Sequence, residues 1–134
     1  MSIAVSSAGG PPAPVHARSG RLRQGKLTDS DRNYAIAMHL TSLAGFVFWP
    51  LVFTPIVLWT VRKNDSDFDD DHGREITNAL ISFAIYHVVA IVTLIGIVAL
   101  PVLYVIGVVN VVRAAVAAGR GEYFRYPITI RFIS

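Results

Sequence analysis

Residues 76–112, ITNALISFAIYHVVAIVTLIGIVALPVLYVIGVVNVV, decide the fold class. Across this stretch the one ionisable side chain is His87. A bilayer core is ~30 Å thick and a helix rises ~1.5 Å per residue, so about 20 apolar residues suffice to cross it. This run is long enough to cross twice. A second run, Tyr34 to Val61, again holds a single ionisable group, His39. The chain therefore reads as an all-α integral membrane protein.

Working outward, the long run breaks at Pro101. One helix is expected from about Ile76 to Leu100 and another from Val102 to about Ala118, with Gly119 and Gly121 as C-terminal stops. The earlier run is interrupted by Pro50 and Pro55, so its two parts read as a short Pro-broken hairpin. Thr28 or Ser30 caps the first helix, and Asp29 and Asp31 suit its positive end. Between the runs, Arg62 to Glu75 is strongly charged and reads as a water-exposed loop. His72-Gly73-Arg74-Glu75 is then the motif at the N-terminal opening of the long helix, and a candidate recognition surface.

The flanks complete the organisation. Residues 1–27 hold Gly9-Gly10-Pro11-Pro12-Ala13-Pro14 and then Arg18, Arg21, Arg23 and Lys26, and read as a flexible basic Pro/Gly tail. Residues 28–134 form the helical membrane domain. Glu122 to Ile133 mixes aromatics with arginines, a composition suited to lipid headgroups. Over the whole chain 53% of residues are hydrophobic and 16% charged, against roughly 25% charged in soluble domains. The net charge of +3 fits anionic lipid and gives no reason to invoke nucleic acid. With no cysteine, disulfides and thiolate-held metals are excluded.

The basic residues set an expected topology. Arg18, Arg21, Arg23, Lys26 and Arg32 precede the first apolar run. Arg62, Lys63 and Arg74 lie between the runs, and Arg113, Arg120, Arg125 and Arg131 lie at the C-terminal end. Four membrane segments place all three clusters in the cytoplasm, as the positive-inside bias favours; three segments place one of them outside. The expectation is a compact bundle of three to four membrane segments in the cell membrane, multi-pass, with both termini cytoplasmic. The segment over residues 52–61 is short for a full crossing, at ~15 Å.

Depth along the helices, ~1.5 Å per residue, places His39, Asn78 and Asn110 in the cytoplasmic third of the bundle. Polar groups facing lipid are costly, so these three form a candidate polar cluster: interhelical hydrogen bonding on one reading, a ligand pocket on the other. A metal or haem site is disfavoured, because His39 and His87 differ in depth by ~10 Å and His72 falls in the loop. The aspartates from Asp65 to Asp71 lack the ordered spacing of a calcium loop. No phosphate loop, nucleophile elbow or zinc-protease motif occurs. No catalytic residue, cofactor or metal site is assigned.

Four stretches bear a family likeness: Asp31-Arg32-Asn33-Tyr34-Ala35 through His39 to Gly45; Pro55 to Trp59 with Arg62-Lys63-Asn64-Asp65; Asp71 to Glu75 with Asn78; and Gly121 to Phe132. In these the chain resembles the small bacterial membrane proteins classed with relatives of the Tic-twenty component of chloroplast protein import. The resemblance implies a compact helical membrane domain. The leading expectation is a non-enzymatic membrane module, a scaffold or subunit that binds a membrane-protein partner or itself within the lipid bilayer. The alternative is a transport or translocation component.

Overall fold

The computed structural model describes residues 15–16, 20–94 and 96–134. Four helices follow one another: α1 (Asp29–Val47), α2 (Thr54–Arg62), α3 (Asp67–Val92) and α4 (Gly96–Gly119). A 3-10 segment, Trp49–Phe53, joins α1 to α2. Two short strands, β1 (Val15–His16) and β2 (Leu22–Arg23), pair antiparallel before α1. The all-α expectation holds. α3 and α4 are each long and apolar enough to cross a membrane.

Thr28 caps α1. Its hydroxyl accepts from the Asp31 amide at 3.1 Å, and the Asp31 carboxylate accepts from the Thr28 amide at 3.2 Å. This reciprocal pair satisfies two amides that a helix start leaves free. Pro55 lies at the first positions of α2, where a missing N–H costs nothing, so it starts a helix rather than breaking one.

The charged stretch before Ile76 departs from expectation. Only residues 63–66 form the turn expected there: α3 already begins at Asp67, with Ser66 as its cap and Asp67, Asp69 and Asp70 in its first turn. Aspartates beside a helix's positive end are stabilising, and the same residues that look like a solvated run supply that charge. His72, Gly73, Arg74 and Glu75 thus lie inside the helix rather than at its opening, with His72, Gly73 and Glu75 buried.

The other end of α3 also moves. The helix stops at Val92, not near Leu100. The Thr93 hydroxyl donates to the Val89 carbonyl at 2.7 Å, and the Thr93 amide caps the same oxygen. Gly96 then lies so close to α3 that an added Cβ would sit 2.0 Å from the Ala90 carbonyl oxygen. That approach lets α4 start here, and Pro101 falls in its second turn, where the helix continues with one backbone bond fewer.

α1 packs on α4 through small side chains: Ala114, Ala117 and Ala118 are buried, and Ala35 and Met38 of α1 meet Ala118 and Phe68. Small residues at such a seam let two backbones approach closely. Arg62 joins three helix ends, pairing with Asp31 at 3.0 Å and Asp69 at 3.5 Å. Arg125, beyond α4, grips Asp71 through two bonds of 2.6 Å. All four helices therefore bring their charged ends together. The opposite end is apolar and uncovered: Val47, Trp49, Val92 and Leu94 are each at least 70% exposed. Apolar surface of that extent suits a lipid environment rather than water.

Of the tail expected over residues 1–27, residues 1–14 and 17–19 lie outside the described residues. Leu22 accepts a backbone bond from Tyr123, and the Gln24 amide donates to the Gly121 carbonyl, so this part lies against the end of α4.

Gly73 faces Trp59 of α2 so closely that an added Cβ would come 2.1 Å from the indole ring. Alanine is otherwise the better helix former by ~1 kcal/mol. Gly73→Ala should nevertheless lower thermal stability in mild detergent, by about 1–3 kcal/mol of overpacking. An unchanged or raised midpoint would show that α2 and α3 do not meet as described.

Candidate functional site

One face of α3 carries Asp71, Glu75, Asn78, Ser82 and Tyr86, at spacings of four, three, four and four. At 3.6 residues per turn these form a single stripe. The C-terminal segment after α4 runs along it. The Glu75 carboxylate accepts from the Tyr126 amide at 3.1 Å. The Tyr86 hydroxyl donates to the Ile128 carbonyl at 2.5 Å. The Ser82 hydroxyl accepts from the Ile130 amide at 2.9 Å. The Asn78 side-chain oxygen accepts from the amides of Phe132 and Ile133 at 3.0 and 2.9 Å, and its NH₂ donates to the Ile133 carbonyl at 2.8 Å. Arg74 donates to the Ser134 carbonyl.

The partners order the path. The segment descends from the level of Glu75 to that of Tyr86 by Ile128, then returns to Arg74 at Ser134. It is a hairpin laid against the bundle. Its tip includes Ile128 with φ of 60°, an unusual conformation for a β-branched residue, held by the Tyr86 bond. Irregular backbone at membrane depth needs protein partners for its polar groups, and the α3 stripe provides them. The aromatic and arginine pattern of this segment, expected to favour headgroups, thus also serves internal packing: Phe124 and Tyr126 are buried.

A second polar unit lies beside it. His39 Nε2 and His72 Nδ1 are 2.8 Å apart. His39 Nδ1 lies 2.9 Å from the Tyr126 hydroxyl, and His72 Nε2 lies 3.1 Å from the Glu122 carbonyl oxygen. With both rings neutral, only one proton arrangement fits. A carbonyl can only accept, so His72 carries its proton on Nε2 and offers Nδ1 as acceptor. His39 must then donate from Nε2 and accept the Tyr126 proton at Nδ1. The chain runs one way, Tyr126 to His39 to His72 to Glu122, and ends on a peptide oxygen that cannot pass a proton on. It joins α1, α3 and the C-terminal segment. Phe68 and Tyr123 flank the His72 ring, with centroids 4.4 and 6.3 Å away.

At the charged end, two groups beyond α4 have displaced proton affinities. Burial, with Asp71 and Asp67 nearby, raises Tyr123 above the ordinary phenol value. Hydrogen bonding to Asp71 raises Arg125 further into its cationic range. Among the described residues no group of three His, Asp or Glu side chains is arranged to hold a metal ion.

The expected trio separates. Among the described residues no hydrogen bond joins His39, Asn78 and Asn110. His39 goes to Tyr126 and His72, Asn78 to the C-terminal hairpin, and Asn110 lines a cavity of about 90 Å³ with Ser42, Ser82 and Tyr126, its side-chain oxygen without a hydrogen-bond partner among the described residues. His72, Gly73 and Glu75 each meet a specific neighbour: His39, Trp59 and the Tyr126 amide. Sequence placed Ser82 only by its depth near Asn78 and did not single out Tyr86 or Tyr126. The signal that marks Ser82 and Tyr86 is the polar stripe on an otherwise apolar helix, since each such group needs a partner that lipid lacks.

These features define a small helical membrane protein whose internal polar groups hold its own chain. The chain belongs to the MamF/MmsF family, described as the magnetosome magnetite crystal formation protein family, which matches residues 30–133. That match corrects the likeness to relatives of the Tic-twenty import component. The stretches that suggested it are the capped start of α1, the Arg62 junction, the His72 turn and the C-terminal hairpin. In this chain they specify how the bundle is held. No curated protein and no solved structure matches the chain.

His39→Leu removes the middle of the chain and leaves the Tyr126 hydroxyl and one His72 nitrogen unpartnered. Loss of about 1–3 kcal/mol is expected. In a double-mutant cycle with Tyr126→Phe, measured by thermal unfolding in detergent, the two losses should overlap. Simple additivity would show that the two side chains are not bonded.

Proposed function

We propose that this chain is a non-enzymatic module of the magnetosome membrane, a small scaffold or subunit that supports magnetite crystal formation through a larger membrane assembly. The observation that carries this reading is the division of the bundle into one charged end and one apolar end. The ends of α1, α2, α3 and α4 tied together by Arg62 and Arg125 include every charged cluster between Asp29 and Arg131. The positive-inside bias turns that end to the cytoplasm, with four membrane segments and both termini on the same side.

The consequence bears on mechanism. The face turned away from the cytoplasm is made by residues 48–53 and the turn after Val92, neither of which contains an ionisable side chain. Such a face has no carboxylate with which to grip an iron oxide surface. Influence on the crystal is therefore exerted through partner proteins or the membrane itself, not by templating mineral on this chain. The proton chain ending at the Glu122 carbonyl supports a holding role over an enzymatic one.

Two measurements test the proposal. An Asn64→Cys variant should react with an impermeant thiol reagent added to sealed isolated magnetosomes, whose cytoplasmic face is outward; resistance there until detergent is added, with ready labelling of a cysteine placed at Ser134, removes the four-segment topology. Purification of the tagged chain from a magnetite-forming cell in mild detergent should recover a stoichiometric membrane partner. Recovery of a free monomer, together with unaltered crystals after deletion of the gene, overturns the scaffold reading.

A further inference from the structure

The outward face of α4 is a continuous stripe. Val98, Val102, Val105, Val109, Val112 and Val116 are all exposed, at alternating spacings of four and three. Two cations, Arg113 and Arg120, both exposed, stand along the C-terminal part of the stripe. They stand seven residues apart, two helical turns, and so share a face about 10 Å apart along the axis.

These two differ from the other arginines near them. Arg62, Arg74, Arg125 and Arg131 each take an acidic partner. Among the described residues, the side chains of Arg113 and Arg120 have no ionic or hydrogen-bonding partner. Arg113 lies inside the valine stripe, between Val109 and Val116, where a solitary cation facing hydrocarbon is costly. A long arginine side chain in that position extends toward the headgroup level, here toward Arg120 and the C-terminal end of α4. Arg120 stands at that end, so an Arg113 side chain extended along the helix would let both guanidiniums offer paired N–H donors to one phosphate.

We propose that Arg113 and Arg120 form a binding site for the phosphate of an anionic phospholipid, whose acyl chains lie along the valine stripe. This rests on the membrane reading given above. The valine spacing would also suit a second copy of the chain, but charge decides against it. A twofold interface sets the same patch against itself, so the two copies would bring their arginines together with no acid on the stripe to separate them.

The test uses the full chain in nanodiscs of phosphatidylcholine doped with phosphatidylglycerol, with retained lipid read by native mass spectrometry after release. The wild type should keep phosphatidylglycerol in preference to phosphatidylcholine. Arg113→Gln and Arg120→Gln should each weaken that retention, by roughly fivefold per arginine. Lys63→Gln, which removes one exposed cation from the end of α2, should leave it unchanged. Equal retention by the Arg113→Gln/Arg120→Gln double variant overturns the site, as does equal loss in Lys63→Gln. A Val109→Cys variant that cross-links into dimers in pure phosphatidylcholine nanodiscs assigns the stripe to a second copy and also overturns it. A chain that enters both kinds of nanodisc without lipid preference defeats this proposal alone. A chain that enters neither defeats the membrane reading, and this site with it.

Discussion

The structure depends on one constraint: backbone polar groups without water must find partners within the protein. α1 to α4 meet it internally, as helices do. The C-terminal hairpin cannot, since it is irregular. Its amides and carbonyls are met instead by Glu75, Asn78, Ser82 and Tyr86. The long helix is therefore polar along one stripe for a structural reason. Because most of these bonds go to backbone atoms, the arrangement fixes the path of the segment more than the identity of its side chains.

The histidine chain extends the same logic across the bundle. His72 would strand a donor in the interior unless an acceptor stood opposite, and the Glu122 carbonyl, just past the end of α4, supplies one. His39 then has a forced orientation, and Tyr126 closes the other end. Three segments far apart in sequence are thus locked in register by groups that have no freedom to swap roles.

Much of the architecture is legible in the sequence. The two apolar runs, the Thr28 cap and the proline-broken first hairpin follow from local rules, and local rules survive into the fold. The misreadings share a cause. The aspartates after Ser66 look like a loop because charge runs usually are; their position after a capping serine makes them a helix start. That displacement put His72 in water and hid its bond to His39. Asn78 and Asn110 were grouped with His39 by depth alone, and depth says nothing about which face a side chain takes. The partners of Asn78 lie 54 and 55 residues away in the C-terminal hairpin, a pairing that no periodicity in α3 reveals.

The hairpin that satisfies α3 is made after all four helices. Synthesis runs from the N-terminus, so α3 and α4 are complete before Ile128 to Ser134 leave the ribosome. During that interval Asn78, Ser82 and Tyr86 have no hairpin to bind, and the groove between the helices is open to lipid or to a chaperone. A chain stopped between the end of α4 and Ile128 would have helices able to insert but a polar stripe left unmet.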